Sequence, residues 1–436
     1  MSSTIKNQKE ILGKLGIEKL NPMQEEAQLA IHSCPEVVLL SPTGTGKTLA
    51  FLLPIIAELD SEIEAVQALI IAPSRELAIQ IEQVTREMGA GYKTNVVYGG
   101  RSFSKDVVDL KHPPAILIGT PGRVADHLRR QTISTDHIRV LVLDEFDKSL
   151  EIGFESEMSE ITGTLPKLEK KILTSATQGV DIPAFVRLKA PTYINYLDEG
   201  IPQLKIKTIL SPSKDKLETL VEALSHLGNQ PGIIFCNFKD SIQRVSDYLT
   251  LNKISHGCFY GGMEQNDRER ALIKFRNGTH QLIIATDLAA RGIDVPAIKF
   301  IIHYHLPPRA EEFIHRNGRT ARMDKEGTAY ILQWDKEALP DFIQKVEVEE
   351  LTWAPIPTPS PWETLFISGG RRDKISKGDI AGLCCKQGKL SSDEIGVIEL
   401  KQDCAFVAVQ ASKVEELIPL INNSKLKKKK VRVTVI

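Results

Sequence analysis

The segment SPTGTGKT, residues 41–48, follows the apolar run VVLL (37–40) and opens a helix-compatible stretch. A glycine-rich turn between a buried strand and a helix points several backbone N–H groups into one concavity at a helix N-terminus, where a phosphate can bind. Thr43, Gly44, Thr45 and Gly46 form that cradle, Lys47 adds a mobile positive charge for β/γ phosphates, and Thr48 a hydroxyl within reach of Mg²⁺. Ser41 stands where the strict GxxxxGK[ST] pattern has its first glycine. A Gly-Thr linker is the alternative, but linkers seldom join such a strand to such a helix. About a hundred residues on, VLVLDEFD (140–147) ends a second apolar run on three acids in four positions. Solvated strand ends often carry carboxylates. Open α/β sheets, however, bind ligands at the carboxyl ends of their strands, and a phosphate loop on one strand needs a carboxylate on a neighbour to hold Mg²⁺ and orient water. Asp144 is then the metal-side acid and Glu145 the candidate base.

Such a site needs strands that end side by side. Short β-branched runs alternate with helix-compatible segments: VVLL, ALIIAP (68–73), NVVYGG (95–100), AILIGT (115–120), VLVLDE and KILTSAT (171–177). The rhythm restarts with GIIFCN (232–237), HGCFYGG (256–262), LIIATD (282–287), FIIHYH (300–305) and AYILQW (329–334). It predicts parallel sheets covered by helices on both faces, in two similar α/β domains joined near LDEGIPQL. After Trp353, APIPTPSPWE carries four prolines and reads as a stiff linker to a small α+β unit of about 75 residues.

At 436 residues, 42% hydrophobic and 25% charged, the chain has the composition of a soluble globular protein of two or three domains. It has no apolar run of membrane-span length, and MSSTIKNQKE lacks a signal-peptide core, so the cytoplasm is the expected location and no membrane a partner. The cysteines at 34, 236, 258, 384, 385 and 404 show no metal-ligand spacing and read as reduced and mostly buried. From Glu363 onward 14 Lys+Arg face 9 Asp+Glu, although the net charge of the whole is −1. A basic tail of this kind suits an acidic partner.

Eleven motifs in order make the chain resemble the DEAD-box RNA helicases over about residues 10–345: Gln24 in NPMQ, the phosphate loop, PSRELA (73–78), Gly99-Gly100, TPGR (120–123), DEFD (144–147), SAT (175–177), IIFCN, YGGMEQNDR (260–268), ATDLAARGID (285–294) and HRNGRTAR (315–322). The resemblance implies two tandem RecA-like parallel-sheet domains, residues 1–200 and 204–348, with ATP and Mg²⁺ bound between them. Gln24 would read the adenine edge, Lys47 and Thr48 the phosphates and Mg²⁺, Asp144 the metal and Glu145 the attacking water. Arg319 and Arg322 would reach across the cleft as catalytic arginines, with Gly292 near the γ-phosphate and Asp294 near the ribose. Ser175 and Thr177 would couple DEFD to RNA binding. RNA would be held by Arg75, Thr120, Gly122 and Arg123 on the first domain and by Gln265, Arg268 and Thr286 on the second. Two departures stand out. Phe146 replaces the usual alanine, adding bulk next to SAT. Residues 1–50 contain no Phe, Tyr or Trp to stack on adenine, leaving Ile11 or Ile17 as apolar surface.

The tail resembles the C-terminal RNA-binding domain of DbpA-type DEAD-box proteins, through LFISGGRRDKISKGDIAGLC (365–384), EIGVIELKQDCAFVAV (394–409) and KLKKKKVRVTVI (425–436). This implies an RRM-like α+β domain over 363–436. Only Phe406 is offered for base stacking in CAFVAV, so Arg371, Arg372, Lys374 and Lys377, with Lys425 and Lys427 to Lys430, are the expected electrostatic surface, a solvated chain end being the alternative for the lysines. The combined expectation is a monomeric ATP-dependent RNA helicase that locally unwinds short structured RNA, in ribosome assembly with ribosomal RNA as target. The tail would act as a tethered targeting module. An ATP-gated RNA clamp is the alternative, and a DNA translocase a weaker one.

Overall fold

The computed structural model describes residues 7–177, 182–197, 204–287, 298–320, 327–343 and 346–436. They fall into two units, one carrying the first sheet and the other the remaining sheets. In the first, β1 (Glu36–Leu40), β2 (Ala68–Ile71), β3 (Thr94–Val97), β4 (Ile116–Gly119), β5 (Val140–Leu143), β6 (Lys170–Ser175) and β7 (Thr192–Asn195) form a parallel sheet in the order β3-β4-β2-β5-β6-β1-β7. β2, β4 and β5 are buried at every position, because helices cover both faces and each strand has two apolar sides to satisfy. Alternate residues serve opposite faces. Ile70, Ile118, Val142 and Ile172 pack under Ala27, Ile31, Phe51 and Ile81, whereas Leu69, Leu117, Leu141 and Leu173 pack with Val124, Phe146, Met158 and Ile161.

In the second unit, β8 (Leu204–Ser211), β9 (Gly232–Phe235), β10 (Gly257–Phe259), β11 (Leu282–Ala285), β12 (Phe300–His303), β13 (Gly327–Trp334) and β14 (Glu347–Val348) repeat the same order, β10-β11-β9-β12-β13-β8-β14, again parallel. The doubling read from the sequence is therefore a doubling of topology. The inter-sheet segment around LDEGIPQL lies largely outside the described residues. β7, β8 and β14 escape the sequence reading. β8 (LKIKTILS) interleaves lysines with its apolar residues and β14 is two residues long, so neither shows the continuous apolar run of a central strand.

The remaining sheet joins β15 (Trp362–Ile367), β16 (Ile395–Leu400), β17 (Ala405–Gln410) and β20 (Val433–Val435) antiparallel in the order β16-β17-β15-β20, with helices Lys377–Lys386 and Val414–Ile421 against one face. This βαββαβ arrangement is RRM-like, and a small hairpin, β18 (Lys425–Leu426) with β19 (Lys429–Lys430), carries the lysine run. The proline-rich connection is held along its way: Thr358 accepts from Asn229 at 2.7 Å, and Ser360 donates to the Gly278 carbonyl at 2.5 Å.

All six cysteines are free thiols, but only Cys236 and Cys384 are fully buried and the other four are partly exposed, which corrects the expectation of mostly buried residues. Burial pushes the Cys236 thiol up to about 12. Among the described residues no helix is long and apolar enough to cross a membrane.

A buried histidine gives the second sheet an acid-labile point. His303, at the end of β12, bonds Asn317 at 2.9 Å and stacks on Phe313 with centroids 4.7 Å apart. Burial, and the nearby Arg316 charge, bring it down from 6.5 to about 3. Because its folded value is depressed, the stability it allows is intact above its unfolded pKa of about 6.5 and is lost as pH falls through the window toward 3. Chemical unfolding at about pH 7 and about pH 5 is therefore expected to show a loss that His303→Gln lacks, of about 2 kcal/mol. Equal losses in both proteins would refute it.

Candidate functional site

The phosphate-loop segment is shaped by two glycines that only this residue type accommodates easily. Gly44 has φ +84° and Gly46 φ +88°, and a Cβ on Gly46 would stand 2.3 Å from Nε2 of Gln24. Ser41 is not at positive φ, so its position demands no glycine. Its hydroxyl instead meets that of Thr45 at 2.8 Å inside the loop. Gly46 caps the helix Lys47–Glu58, whose first turn holds Lys47 and Thr48. The Lys47 ammonium lies over the loop, donating to the carbonyls of Ser41 at 2.5 Å and Pro42 at 2.9 Å.

The loop is tied to the preceding helix, Pro22–Ser33. Asn21 caps that helix and donates to the Thr45 carbonyl at 3.0 Å. Gln24 accepts from the Asn21 N–H at 3.1 Å and donates to the Gly46 carbonyl at 3.2 Å. Gln24 thus supports the loop, a role that sequence reading missed, as it missed Asn21; the asparagine-proline helix start was the available signal. Ile11 is buried at 2% exposure in the core, whereas Ile17 is only partly covered. The left-handed Gly16 ends the first helix and turns Ile17 back so that its N–H meets the Leu12 carbonyl. Of the two apolar candidates, Ile11 is thereby excluded as a stacking surface.

Sheet order brings the acids to this loop. β6 lies between β1 and β5, with Leu40 in register with Ser175 and Leu143 with Leu173. Three strand ends meet there: the loop, SAT and DEFD. Asp144 is buried, and its carboxyl is pushed up to about 6, first by burial and next by the Glu145 charge, against the pull of Thr174 and Lys47. Thr174, the last residue before SAT, donates its hydroxyl to Asp144 and accepts the Glu145 N–H at 3.1 Å. That bond holds Glu145 in a left-handed conformation, φ +46° and ψ +50°, an uncommon state for a residue with a Cβ. Asp147 accepts from Thr177 at 3.0 Å, while Ser175 and Thr177 bond each other through hydroxyl and backbone. Phe146 is buried in the apolar cluster with Leu143 and Leu173, so its bulk enters the core instead of crowding SAT from outside. Thr174 and Asp147 are the members sequence reasoning omitted from the site, since a threonine inside a strand looks like ordinary β composition.

The fit to a magnesium triphosphate rests on these features. The loop offers a backbone cradle that a side chain at Gly46 would fill, the buried Asp144 carboxyl is raised first by burial, and Thr48 stands in the helix's first turn. A hard cation held by one carboxylate, a hydroxyl and phosphate oxygens suits that donor set.

The other candidates of the first unit lie at the ends of β2, β3 and β4. Arg75 begins the helix Arg75–Met88 and packs on Gly99 and Gly100; a Cβ on Gly100, already at φ +86°, would meet its guanidinium at 2.5 Å. Thr120 precedes the helix Pro121–Arg129, Gly122 has open space around it, and Arg123 donates to the Arg101 carbonyl at 2.6 Å. Arg123 also stands 3.3 Å from the buried Asp106 and 5.6 Å over the Phe103 ring, two partners not foreseen.

In the second unit Gln265 begins the helix Gln265–Arg276, Arg268 covers the Phe259 ring at 4.9 Å, and the Thr286 N–H bonds the Phe259 carbonyl at 3.3 Å. Arg319 is buried at 4% exposure, its N–H on the Arg316 carbonyl. Arg316 itself is the hub. It forks onto Asp287 at 2.5 Å through both nitrogens and reaches the His305 carbonyl at 2.5 Å and Asn237 at 2.8 Å, joining three motif segments. Gly292, Asp294 and Arg322 lie outside the described residues.

In the small domain Lys374 and Lys377 are exposed and Arg372 pairs with Asp403 at 3.0 Å. The lysine run is partly spoken for: Lys427 pairs with Asp379 at 2.9 Å and Lys429 with Asp373 at 2.8 Å, leaving Lys425, Lys428 and Lys430 outermost.

Comparison with known proteins agrees with this layout. Residues 21–184 match the DEAD/DEAH box helicase family, 215–324 the helicase conserved C-terminal domain, and 364–435 the DbpA RNA binding domain. The chain is 31% identical to the ATP-dependent RNA helicase DbpA of Escherichia coli (strain K12), over 98% of this chain and 96% of that protein. It is 30% identical to the DbpA of Bacillus subtilis (strain 168), over 96% and 95%. Among solved structures it is similar to S. cerevisiae Dbp5 bound to RNA and ADP BeF3, with TM-score 0.67 and 28% identity over 76% of this chain and 88% of that one. A structure of Mss116p bound to ssRNA and AMP-PNP gives the same TM-score and identity over 75% and 73%.

The Thr174 hydroxyl is a structural keystone that substitution can probe. Thr174→Val keeps the shape but strands the Glu145 N–H and removes the donor to Asp144, and is expected to cost about 1–3 kcal/mol in urea unfolding. Thr174→Ser should cost much less. Equal stability of the valine variant and the parent would show that the bridge carries no energy.

Proposed function

Since the chain belongs to the DEAD/DEAH box RNA helicases, we propose that its strand-end site hydrolyses ATP to unwind short structured RNA locally, with ribosomal RNA as the target and ribosome assembly in the cytoplasm as the setting. The observation that carries the catalytic reading is the convergence of the phosphate loop, SAT and DEFD at the ends of β1, β6 and β5. The backbone of residues 43–46 receives the phosphates, Lys47 swings from the loop carbonyls to the β/γ oxygens, and Thr48 and Asp144 hold Mg²⁺. Held by Thr48 and Asp144, Mg²⁺ would supply positive charge to the phosphate oxygens. Glu145, its backbone fixed through Thr174, orients the attacking water and takes its proton. Arg319 and Arg322 supply positive charge to the transition state, an effect worth about 10³ to 10⁵ in rate for such arginines. The family resemblance assigns the γ-phosphate to Gly292 and the ribose to Asp294.

Arg75, Thr120, Gly122 and Arg123, with Gln265, Arg268 and Thr286, hold the sugar-phosphate backbone. Such contacts bind without reading bases. Ser175 and Thr177 transmit RNA occupancy to the acids, since Thr177 is hydrogen-bonded to Asp147 and SAT continues the strand of Thr174. Arg371, Arg372, Lys374 and Lys377, with the outer lysines, provide the small domain's electrostatic grip, and the protein works as a monomer.

Glu145→Gln is expected to retain ATP and RNA binding while RNA-stimulated turnover falls by orders of magnitude; near-normal turnover would remove Glu145 from its role. A strand-displacement assay on the parent separates a helicase from an ATP-gated clamp, which would hydrolyse ATP without separating strands. Nucleotide choice follows from the absent aromatic. With Gln24 already engaged on the loop and Ile17 the remaining apolar neighbour, discrimination between ATP and GTP should be modest, within about tenfold in kcat/KM, an energy of about 1.4 kcal/mol. Strict ATP dependence would mean that another group stacks on the base.

A further inference from the structure

The face of the C-terminal sheet that an RRM-like domain leaves open is covered in this protein. Leu365 and Ile367 of β15 are wholly buried against the domain's own helices, so Thr364 and Phe366 face the other way. Register places Phe366 opposite Phe406, Phe406 opposite Glu399, and Thr364 opposite Ala408, all on that second face. It rests on the end of the helix Gln265–Arg276 and the turn that follows. The Thr364 hydroxyl meets that of Thr279 at 2.7 Å and accepts from Asn277 at 3.3 Å, and all three residues are buried. Arg276 forks onto Glu399 at 2.6 and 2.9 Å. Lys401 stands 2.8 Å from Glu269 and 3.6 Å from Glu399. Burial alone would raise the Glu399 carboxyl, but Arg276 and Lys401 outweigh it and hold it below its ordinary value, so the pair is ionised. Forked, partly buried pairs with further hydrogen bonds fix geometry in a way that exposed single pairs do not.

The consequence lies at the other end of the same helix. Gln265 and Arg268 occupy its first turn, and the neighbour of Arg268 is Glu269, the residue that grips Lys401. On the small domain the Arg371 N–H bonds the Lys401 carbonyl at 3.0 Å and the Arg372 N–H bonds that of Gln402 at 2.9 Å. Gly370 makes this close approach possible, since a Cβ there would stand 2.5 Å from the Gln402 oxygen. One ion pair thus separates the core's RNA-contact turn from the tail's arginine turn.

We propose that the open sheet face of the C-terminal domain is a docking face for the second parallel-sheet domain, and that the docked pair presents Gln265, Arg268, Arg371, Arg372 and Lys374 as one continuous surface to a single RNA crossing from helix to strand. The proposal rests on the helicase reading above. It replaces a tethered module, which would raise local concentration without fixing direction, with a rigid one that sets where along its RNA the core engages. The ordering cost of holding two sites in register is met in folding and not at binding.

The test uses the full chain, a short RNA hairpin, a single-stranded oligouridylate, and the two joined covalently. The joined RNA is expected to bind the parent about 10²-fold tighter than either part. Arg276→Glu should lose at least about tenfold of that gain, keep affinity for the strand alone, and speed amide exchange in β15 and residues 276–280, and the exchange Arg276→Glu with Glu399→Arg should restore both. Lys401→Ala, a milder change, should lose part of the gain without any risk to folding of the core. A parent that binds the joined RNA no tighter than its better part, or an Arg276→Glu variant that keeps the whole gain, overturns the proposal. Failure of the strand alone to stimulate ATP hydrolysis by the parent would instead overturn the helicase reading, and this inference with it.

Discussion

The acidic segment at the carboxyl end of the first sheet depends on one hydroxyl placed between two acids. A parallel sheet ends on backbone groups that have lost their ladder partners, and those groups must find others. At the end of β5 the Asp144 N–H still reaches the Ile71 carbonyl, but the next N–H, on Glu145, is satisfied by the side chain of Thr174 from β6. The same hydroxyl donates a hydrogen bond to Asp144. Glu145 can then hold a left-handed turn costing about 1–3 kcal/mol because its neighbours determine it from both sides: Asp144 is fixed by Thr174, and Phe146 is sunk in the core.

From this point polar contacts run outward in short steps. Ser175 and Thr177 follow Thr174 on the same strand end, and Thr177 bonds Asp147, so hydrogen bonds tie SAT to the acidic segment. The second sheet solves the equivalent problem with a cation. Arg316, fully buried, ties Asp287, Asn237 and the His305 carbonyl together where β9, β11 and β12 end. A buried guanidinium is tolerable only when forked onto a carboxylate and otherwise satisfied, which these contacts achieve. Each unit thus ends its strands on a polar hub, acidic in the first and cationic in the second.

Reading along the chain recovers what nearest neighbours impose. The phosphate loop is legible because eight contiguous residues specify a turn, two left-handed glycines and a helix start. The central strands are legible because burial on both faces demands unbroken apolar runs. β8 is not, since its lysines hide the pattern, and the choice between Ile11 and Ile17 as apolar surface is not, because a short amphipathic helix does not say which way its apolar stripe faces. The lysine run also reads as more cationic than it is: Asp373 and Asp379, some fifty residues earlier, pair with Lys429 and Lys427 in a hairpin that brings them together.

By itself the sequence determined the two-fold repetition, the family, the phosphate loop and the identity of the acids, since each is written in adjacent residues or in motif order. Tertiary structure alone decided that β6 lies between β1 and β5, that Thr174 bridges Asp144 and Glu145, and that Arg276 meets Glu399 across 123 positions of chain. The physical reason is that backbone conformation responds to local sterics and hydrogen bonding, whereas the choice of partner for a hydroxyl or a guanidinium depends on which strands become neighbours. That choice is settled by the packing of whole faces, to which no single residue gives a local signal.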